Sequence, residues 1–279
     1  MHASETVQEG ATSGFDFSGR TVLVTGAGRG IGRATACLLA GYGCEVVVND
    51  LHEETAARTA AEIVAGGGKA TAIAADVSSA AQVRELAGSA LASLSHVDFL
   101  VNNAGISQYR AILDCSEGDW DAHLDVMAKG TFLMVNAFAP GMVARRFGRI
   151  VNLGSYVAQV NCTTKYFGPY CAAKFAIVGL TQVAAQELAP YVNVNAVGPG
   201  DVATEMMELE WQQEGGKRSL DPNVVKDEYR RRLLLGEFEK PEDIAGTIAF
   251  LCSPLADHIT GSHLIVSGGL PYKAEVSSA

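Results

Sequence analysis

The sequence has no excess of cations: 21 Lys and Arg stand against 31 Asp and Glu, a formal net charge of -10. That balance argues against nucleic acid or an anionic membrane as the main partner. One basic run, Arg230-Arg231-Arg232, reads either as a solvated helix face or as an anchor for an anionic substrate or a neighbouring subunit. The six cysteines (Cys37, Cys44, Cys115, Cys162, Cys171 and Cys252) form no Cys-x-x-Cys, and no histidine stands at ligand spacing beside them. Neither a metal site nor a disulfide framework is expected, and reduced thiols suit a cytoplasmic protein. Residues 1–18 lack a basic stretch and an apolar stretch, so they read as a loose arm, not a signal peptide. No apolar run reads as long enough to span a membrane. No internal repeat and no second domain boundary is visible. Residues 19–270 therefore read as one α/β domain, with 271–279 as a tail; 48% hydrophobic residues in a 279-residue chain suffice for one large core.

Short apolar, β-branched runs recur at 21–25 (TVLVT), 45–49 (EVVVN), 70–74, 99–102, 150–153, 192–197 (VNVNAV) and 263–266. They alternate little between apolar and polar positions, the mark of a parallel sheet buried on both faces. Helical patterns fill the gaps. The helix at 31–40 follows the first run, and the Ala-rich one at 53–65 stops at Gly66-Gly67-Gly68. Ser79 with Gln82 reads as a capping box opening another helix. The fold class expected is α/β, a single-domain doubly wound Rossmann fold, with a central parallel sheet of about seven strands flanked by helices. Its ligands belong at the carboxyl ends of the strands. The charged, Met- and Arg-rich segment 201–239 reads as a helical substrate flap, broken at Gly215-Gly216.

The first strand runs into Gly26-Ala27-Gly28-Arg29-Gly30-Ile31-Gly32. Such a turn lets backbone N–H groups approach a pyrophosphate, and the following helix N-terminus adds partial positive charge. The spacing is G-x-x-x-G-x-G, because Ile31 interrupts the G-x-G-x-x-G pattern. Asp50 ends the second strand, where a carboxylate accepts from both ribose hydroxyls of an adenosine and repels a 2′-phosphate. Unit charges about 4 Å apart interact by about 4 kcal/mol at an effective dielectric near 20, before screening. Leu51 beside it supplies no cation, so NAD is favoured over NADP; Arg29 is the opposing signal. Asp76 and Val77 after the third strand suit the adenine. Asn103, Ala104 and Gly105 after the fourth suit a tight loop beside a ribose.

Beyond the fifth strand stands Ser155, and Tyr170-x-x-x-Lys174 opens the next helix. Residues four apart share a helix face, so phenol and ammonium lie side by side. The ammonium is expected to lower the phenol pKa, letting Tyr170 exchange a proton with a substrate oxygen to which Ser155 donates.

With these motifs in place the chain resembles the short-chain dehydrogenase/reductase family. The likeness runs from about residue 21 to 269, carried by TGAGRGIG (25–32), ND (49–50), DV (76–77), NNAG (102–105), VNLGS (151–155), YCAAK (170–174) and VNAVGPGDVAT (194–204). The resemblance implies Ser155, Tyr170 and Lys174 as catalytic residues, with Tyr170 and Lys174 also contacting the nicotinamide ribose. It implies that Pro199, Gly200, Val202 and Thr204 border the carboxamide, and that the chain assembles as a homotetramer or a dimer. Four positions depart from the family pattern. Met127 replaces the Asn of the proton relay, so a return to Asn is expected to preserve or raise the proton-transfer rate. The interval from Ser155 to Tyr170 is longer, the turn Ala189-Pro190-Tyr191 is shorter, and Ser267 replaces the Asp of the V-D-G-G ending.

The expected activity is NAD(H)-dependent interconversion of a secondary alcohol and a ketone: a small diol, polyol or cyclic alcohol. An NADPH-dependent biosynthetic ketoreductase and a non-catalytic dinucleotide sensor are the alternatives. Candidate substrate contacts are Tyr156, Gln159, Asn161, Met206, Met207 and Trp211.

Overall fold

The computed structural model describes residues 15–159 and 162–270. Along the chain come β1 (Thr21–Val24), α1 (Gly30–Gly41), β2 (Glu45–Asp50), α2 (Glu53–Ala65), β3 (Lys69–Ala74), α3 (Ala80–Leu94) and β4 (Phe99–Asn102). Then follow α4 (Glu117–His123), α5 (Gly130–Arg145), β5 (Gly148–Leu153), α6 (Gly168–Leu188) and β6 (Val192–Pro199). The last elements are α7 (Glu205–Arg218), α8 (Pro222–Arg230), α9 (Pro241–Cys252) and β7 (His263–Val266). The seven strands are parallel, in the order β3-β2-β1-β4-β5-β6-β7. The order reverses between β1 and β4, which opens a crevice at their carboxyl ends.

Alternate strand residues feed two cores. Val22, Val24, Val46, Val48, Val101 and Val151 pack with side chains of α1, α2 and α9 on one face. Leu23, Val47, Leu100, Ile150 and Val194 pack with α3 and α5 on the other. Both faces are dry, which is why the strands carry no polar alternation; each such buried side chain contributes about 1.5–3 kcal/mol.

Several expectations need correction. β3 starts one residue earlier and β6 runs on to Pro199. Ser79 Oγ accepts from Gln82 N at 3.4 Å, but the Gln82 side chain accepts from Asp76 N at 2.9 Å, so only half of a capping box forms. α7 passes through Gly215-Gly216 unbroken; Gly215 is buried where an added Cβ would lie 2.8 Å from the Leu220 carbonyl, so close chain approach, not helix termination, explains the glycine. The end of the arm is not loose: Phe17 is buried, its ring 5.2 Å edge-on from Phe99, and its N–H donates to the Tyr42 carbonyl. Residues 1–14 of the arm and the tail 271–279 lie outside the described residues. The helical stretch Glu117–Arg145 is, by length and composition, apolar enough to cross a membrane, against expectation. Its apolar side instead lies in the core, through Met134, Phe138 and Met142.

Candidate active site

The crevice is lined at one end by the glycine turn and Asp50, and at the other by Ser155, Tyr170 and the start of α7. Gly26 and Gly30 take positive φ values of 60° and 54°, open to glycine at little cost. At Gly32 a Cβ would lie 2.3 Å from the Gly26 carbonyl and 2.5 Å from Asn103 Nδ2, so the turn folds tightly onto α1. Asn103 pins it, donating from Nδ2 to the carbonyls of Thr25 (2.9 Å) and Gly26 (3.0 Å). No side chain caps the N-terminus of α1 after Arg29, which leaves its first N–H groups for an anion. Gly26, Arg29, Gly30 and Ile31 all line the crevice; Gly32 shapes the turn from behind. An uncapped helix start under a glycine cradle fits a dinucleotide's pyrophosphate.

Asp50 faces the crevice and also braces the turn. Its Oδ2 accepts from Gly28 N at 2.9 Å, and its Oδ1 from His52 N at 3.2 Å and Thr55 Oγ1 at 3.0 Å. Leu51 is exposed at the rim. Arg29 is engaged with Glu205 Oε2 at 3.3 Å. Asp76, Val77, Ala104 and Gly105 line the crevice, with Asp76 Oδ1 accepting from Ser78 N at 2.8 Å. Pro199, Gly200, Val202 and Thr204 line it from the end of β6, and Thr204 Oγ1 caps α7 by accepting from Met207 N.

Ser155 leaves β5 buried, and α6 starts with Pro169 in its first turn; its first and second turns carry Tyr170 and Lys174 into the crevice. Lys174 Nζ donates to the Leu153 carbonyl at 2.7 Å and lies 5.5 Å from the centre of the Tyr170 ring. The electrostatics differ from expectation. Burial pushes the Tyr170 phenol well above its ordinary range, the Glu210 carboxylate pushes it further, and the Ser155 hydroxyl pulls it back. Lys174 does not offset this; burial lowers its own pKa to about 7. Both groups share a dry site, and the desolvation cost of each charge exceeds their mutual help.

Met127 is fully buried against Ala173, Ile177 and Tyr170, in a π-helical segment (Leu124–Lys129) between α4 and α5. Its carbonyl accepts from Thr131 Oγ1 at 2.7 Å. Ser267 closes the last turn, donating from Oγ to the Leu270 carbonyl at 2.7 Å.

Of the substrate candidates, Tyr156, Met206 and Met207 line the crevice. Trp211 does not: it is 3% exposed and forms the flap's own small core with Tyr229 and Phe238, at ring separations of 6.4 and 5.1 Å. Gln159 is off the crevice wall as well, its amide donating to the Tyr156 carbonyl at 3.2 Å. Asn161 lies outside the described residues. Sequence reasoning missed Ser107, Asp201, Glu210 and Tyr229, all on the crevice wall. Helical spacing was a usable signal for Glu210, which follows Met206 by four residues on α7; adjacency to Gly200 was one for Asp201. Ser107 and Tyr229 carry no signal in sequence. The basic triplet also resolves: Arg230 pairs with Asp227 at 2.9 Å, and Arg232 stacks over Tyr229 at 4.4 Å.

Residues 26–271 match the family described as enoyl-(acyl carrier protein) reductase. A 3-oxoacyl-[acyl-carrier-protein] reductase of Synechocystis sp. is 39% identical over 257 residues, covering 91% of this chain and 98% of that protein. The short-chain reductase protein NovJ of Streptomyces niveus is 40% identical, covering 89% and 93%. An NAD+-bound xylitol dehydrogenase structure superimposes with a TM-score of 0.86 at 32% identity, covering 91% of this chain and 99% of that one. The chain belongs to the short-chain dehydrogenase/reductase family of oxidoreductases.

Proposed function

We propose that this protein interconverts a secondary alcohol and its ketone with NAD(H), acting on a CH–OH group of a small diol, polyol or cyclic alcohol. The observation that carries the reading is the convergence of Ser155, Tyr170 and Lys174 on one crevice with the glycine turn and Asp50. The nicotinamide, when bound, takes up or delivers the hydride. Gly26, Arg29, Gly30, Ile31 and Gly32 hold the pyrophosphate; Asp50 and Leu51 face the adenosine ribose; Asp76 and Val77 face the adenine. Asn103, Ala104 and Gly105 border the ribose, and Pro199, Gly200, Val202 and Thr204 border the carboxamide.

Tyr170 gives its proton to the substrate oxygen during reduction and takes it back during oxidation. Ser155 donates a hydrogen bond to the same oxygen. Lys174 holds the nicotinamide ribose beside the Tyr170 ring, and burial opposes charge on both groups. Acid–base assistance of this kind contributes about 10²–10⁴-fold.

Asp50 supports NAD: its carboxylate stands at the ribose end, and the one arginine of the turn is paired with Glu205. The alternative, an NADPH-dependent ketoreductase, is favoured by the relative named 3-oxoacyl-[acyl-carrier-protein] reductase. Fluorescence titration with NADH and NADPH separates the two. Tighter NADH binding with turnover of an alcohol supports the proposal; tighter NADPH binding overturns the reading of Asp50. Phe132 on α5 and Phe175 and Val183 on α6 are exposed, and these apolar faces suit assembly as a homotetramer or dimer.

A further inference from the structure

The substrate end of the crevice is acidic, and the more buried of its two acids, Asp201, lacks a partner among the described residues. Asp201, next to Gly200 after β6, is only 4% exposed and lines the crevice. Its carboxylate makes no hydrogen bond or ion pair to any described residue. Ser107 Oγ, on the same wall, is buried beside Glu210. Glu210 projects from α7 into this space, where the Ser107 hydroxyl favours its charged form and where it raises the pKa of the Tyr170 phenol. The remaining polar groups are the hydroxyls of Tyr156, Thr164 and Tyr229; the first two share a 3.3 Å contact, and Tyr229 donates to Glu214 at 2.8 Å.

The cations that reach this end are already engaged: Arg29 pairs with Glu205 at 3.3 Å, and Lys174 donates to the Leu153 carbonyl beside Tyr170. Arg232 acts on Asp201 electrostatically from outside the crevice, where it lies over the Tyr229 ring. A buried carboxylate without a donor is costly, and a donor from water or ligand offsets that cost. An anion placed here would meet two carboxylates.

We propose that Asp201 and Glu210 form a recognition site for a hydrogen-bond-donating group, a hydroxyl or an ammonium, carried beside the reacting carbon, and that this site rejects anionic substrates. The inference rests on the oxidoreductase reading above and specifies its substrate.

Four secondary alcohols on one three-carbon skeleton test it with the full-length protein and NAD+: isopropanol, propylene glycol, isopropanolamine and lactate. At least one donor-bearing alcohol is expected to exceed isopropanol in kcat/KM by about tenfold or more, the effect of roughly one good hydrogen bond, with lactate the poorest. Preference for isopropanolamine identifies the donor as ammonium; preference for propylene glycol identifies it as hydroxyl. Asp201→Asn should remove the advantage through KM while leaving isopropanol within about twofold; Glu210→Gln should remove it as well, on top of a change common to all four alcohols, because Glu210 also raises the Tyr170 phenol. Isopropanol or lactate matching the donor-bearing alcohols, or variants that slow all four equally, overturns the proposal.

Calorimetric binding of the same alcohols to the Tyr170→Phe variant with NAD+ makes the test independent of turnover. Tighter binding of a donor-bearing alcohol than of isopropanol and lactate supports the site; equal binding rejects it. Absence of turnover with all four, alongside selective binding, would count against the oxidoreductase reading alone.

Discussion

Asp201→Asn should stabilise the free protein, and the gain should depend on pH. Burial raises the Asp201 pKa from 3.8 to about 7, partly offset by Arg232. Glu210 and Glu239 face it and are raised to about 7 themselves; Tyr156 and Tyr229, also close, stay neutral throughout this range. A raised carboxylate favours its protonated form in the fold. The protein therefore loses no stability on this account below the unfolded pKa, loses it progressively as pH rises through the interval, and reaches the full loss above the folded pKa. At about 1.36 kcal/mol per tenfold change in acidity, a rise of this size is worth at most about 4 kcal/mol. Asparagine keeps the shape and cannot ionise. Urea unfolding of both proteins should show a difference near zero at about pH 4, growing to about 2–4 kcal/mol in favour of the variant at about pH 8. Glu210 and Glu239 titrate in both proteins and lose the repulsion of Asp201 in the variant, so the difference reports residue 201 together with its coupling to them. A difference that does not change with pH, or a variant less stable at the higher pH, would refute the claim that an unpaired carboxylate is buried there.

Three further changes probe the cofactor turn and the core beside Tyr170. Gly32→Ala puts a methyl group 2.3 Å from the Gly26 carbonyl; stability should fall by about 1–3 kcal/mol, and nucleotide affinity with it, as read by thermal shift with and without NADH. Asp50→Asn keeps an acceptor for Gly28 N while removing the charge, so the NADPH/NADH affinity ratio should rise about tenfold or more in fluorescence titration. Met127 is fully buried among apolar side chains. Met127→Asn should therefore cost about 1–3 kcal/mol of stability from an unpaired amide, seen in urea unfolding, whatever it does to the proton-transfer rate; Met127→Leu should be tolerated.

The strands were readable because each is apolar on both faces, so Val22 and Leu23 point to different cores with the same chemistry. The positions of Ser155, Tyr170 and Asp50 were readable because each follows a strand end or opens a helix. Side-chain direction within the flap was not: Trp211 turns inward onto Phe238 while Glu210 beside it faces the crevice, a choice made by the packing of α7 on α8. Phe17 looked like part of a polar arm because its partner Phe99 lies far along the chain. The acidity of Tyr170 is not legible in the sequence for a related reason. Spacing on a helix reports that two groups are neighbours, whereas burial, which dominates both, is a property of the whole fold.

The most direct measurement is of Tyr170→Phe, which removes one hydroxyl from a site otherwise left intact. The account predicts that kcat for alcohol oxidation falls by about 100-fold or more, with NADH affinity within about twofold of the parent by fluorescence titration. Turnover within about tenfold of the parent would contradict the assignment of Tyr170 as the group that moves the proton.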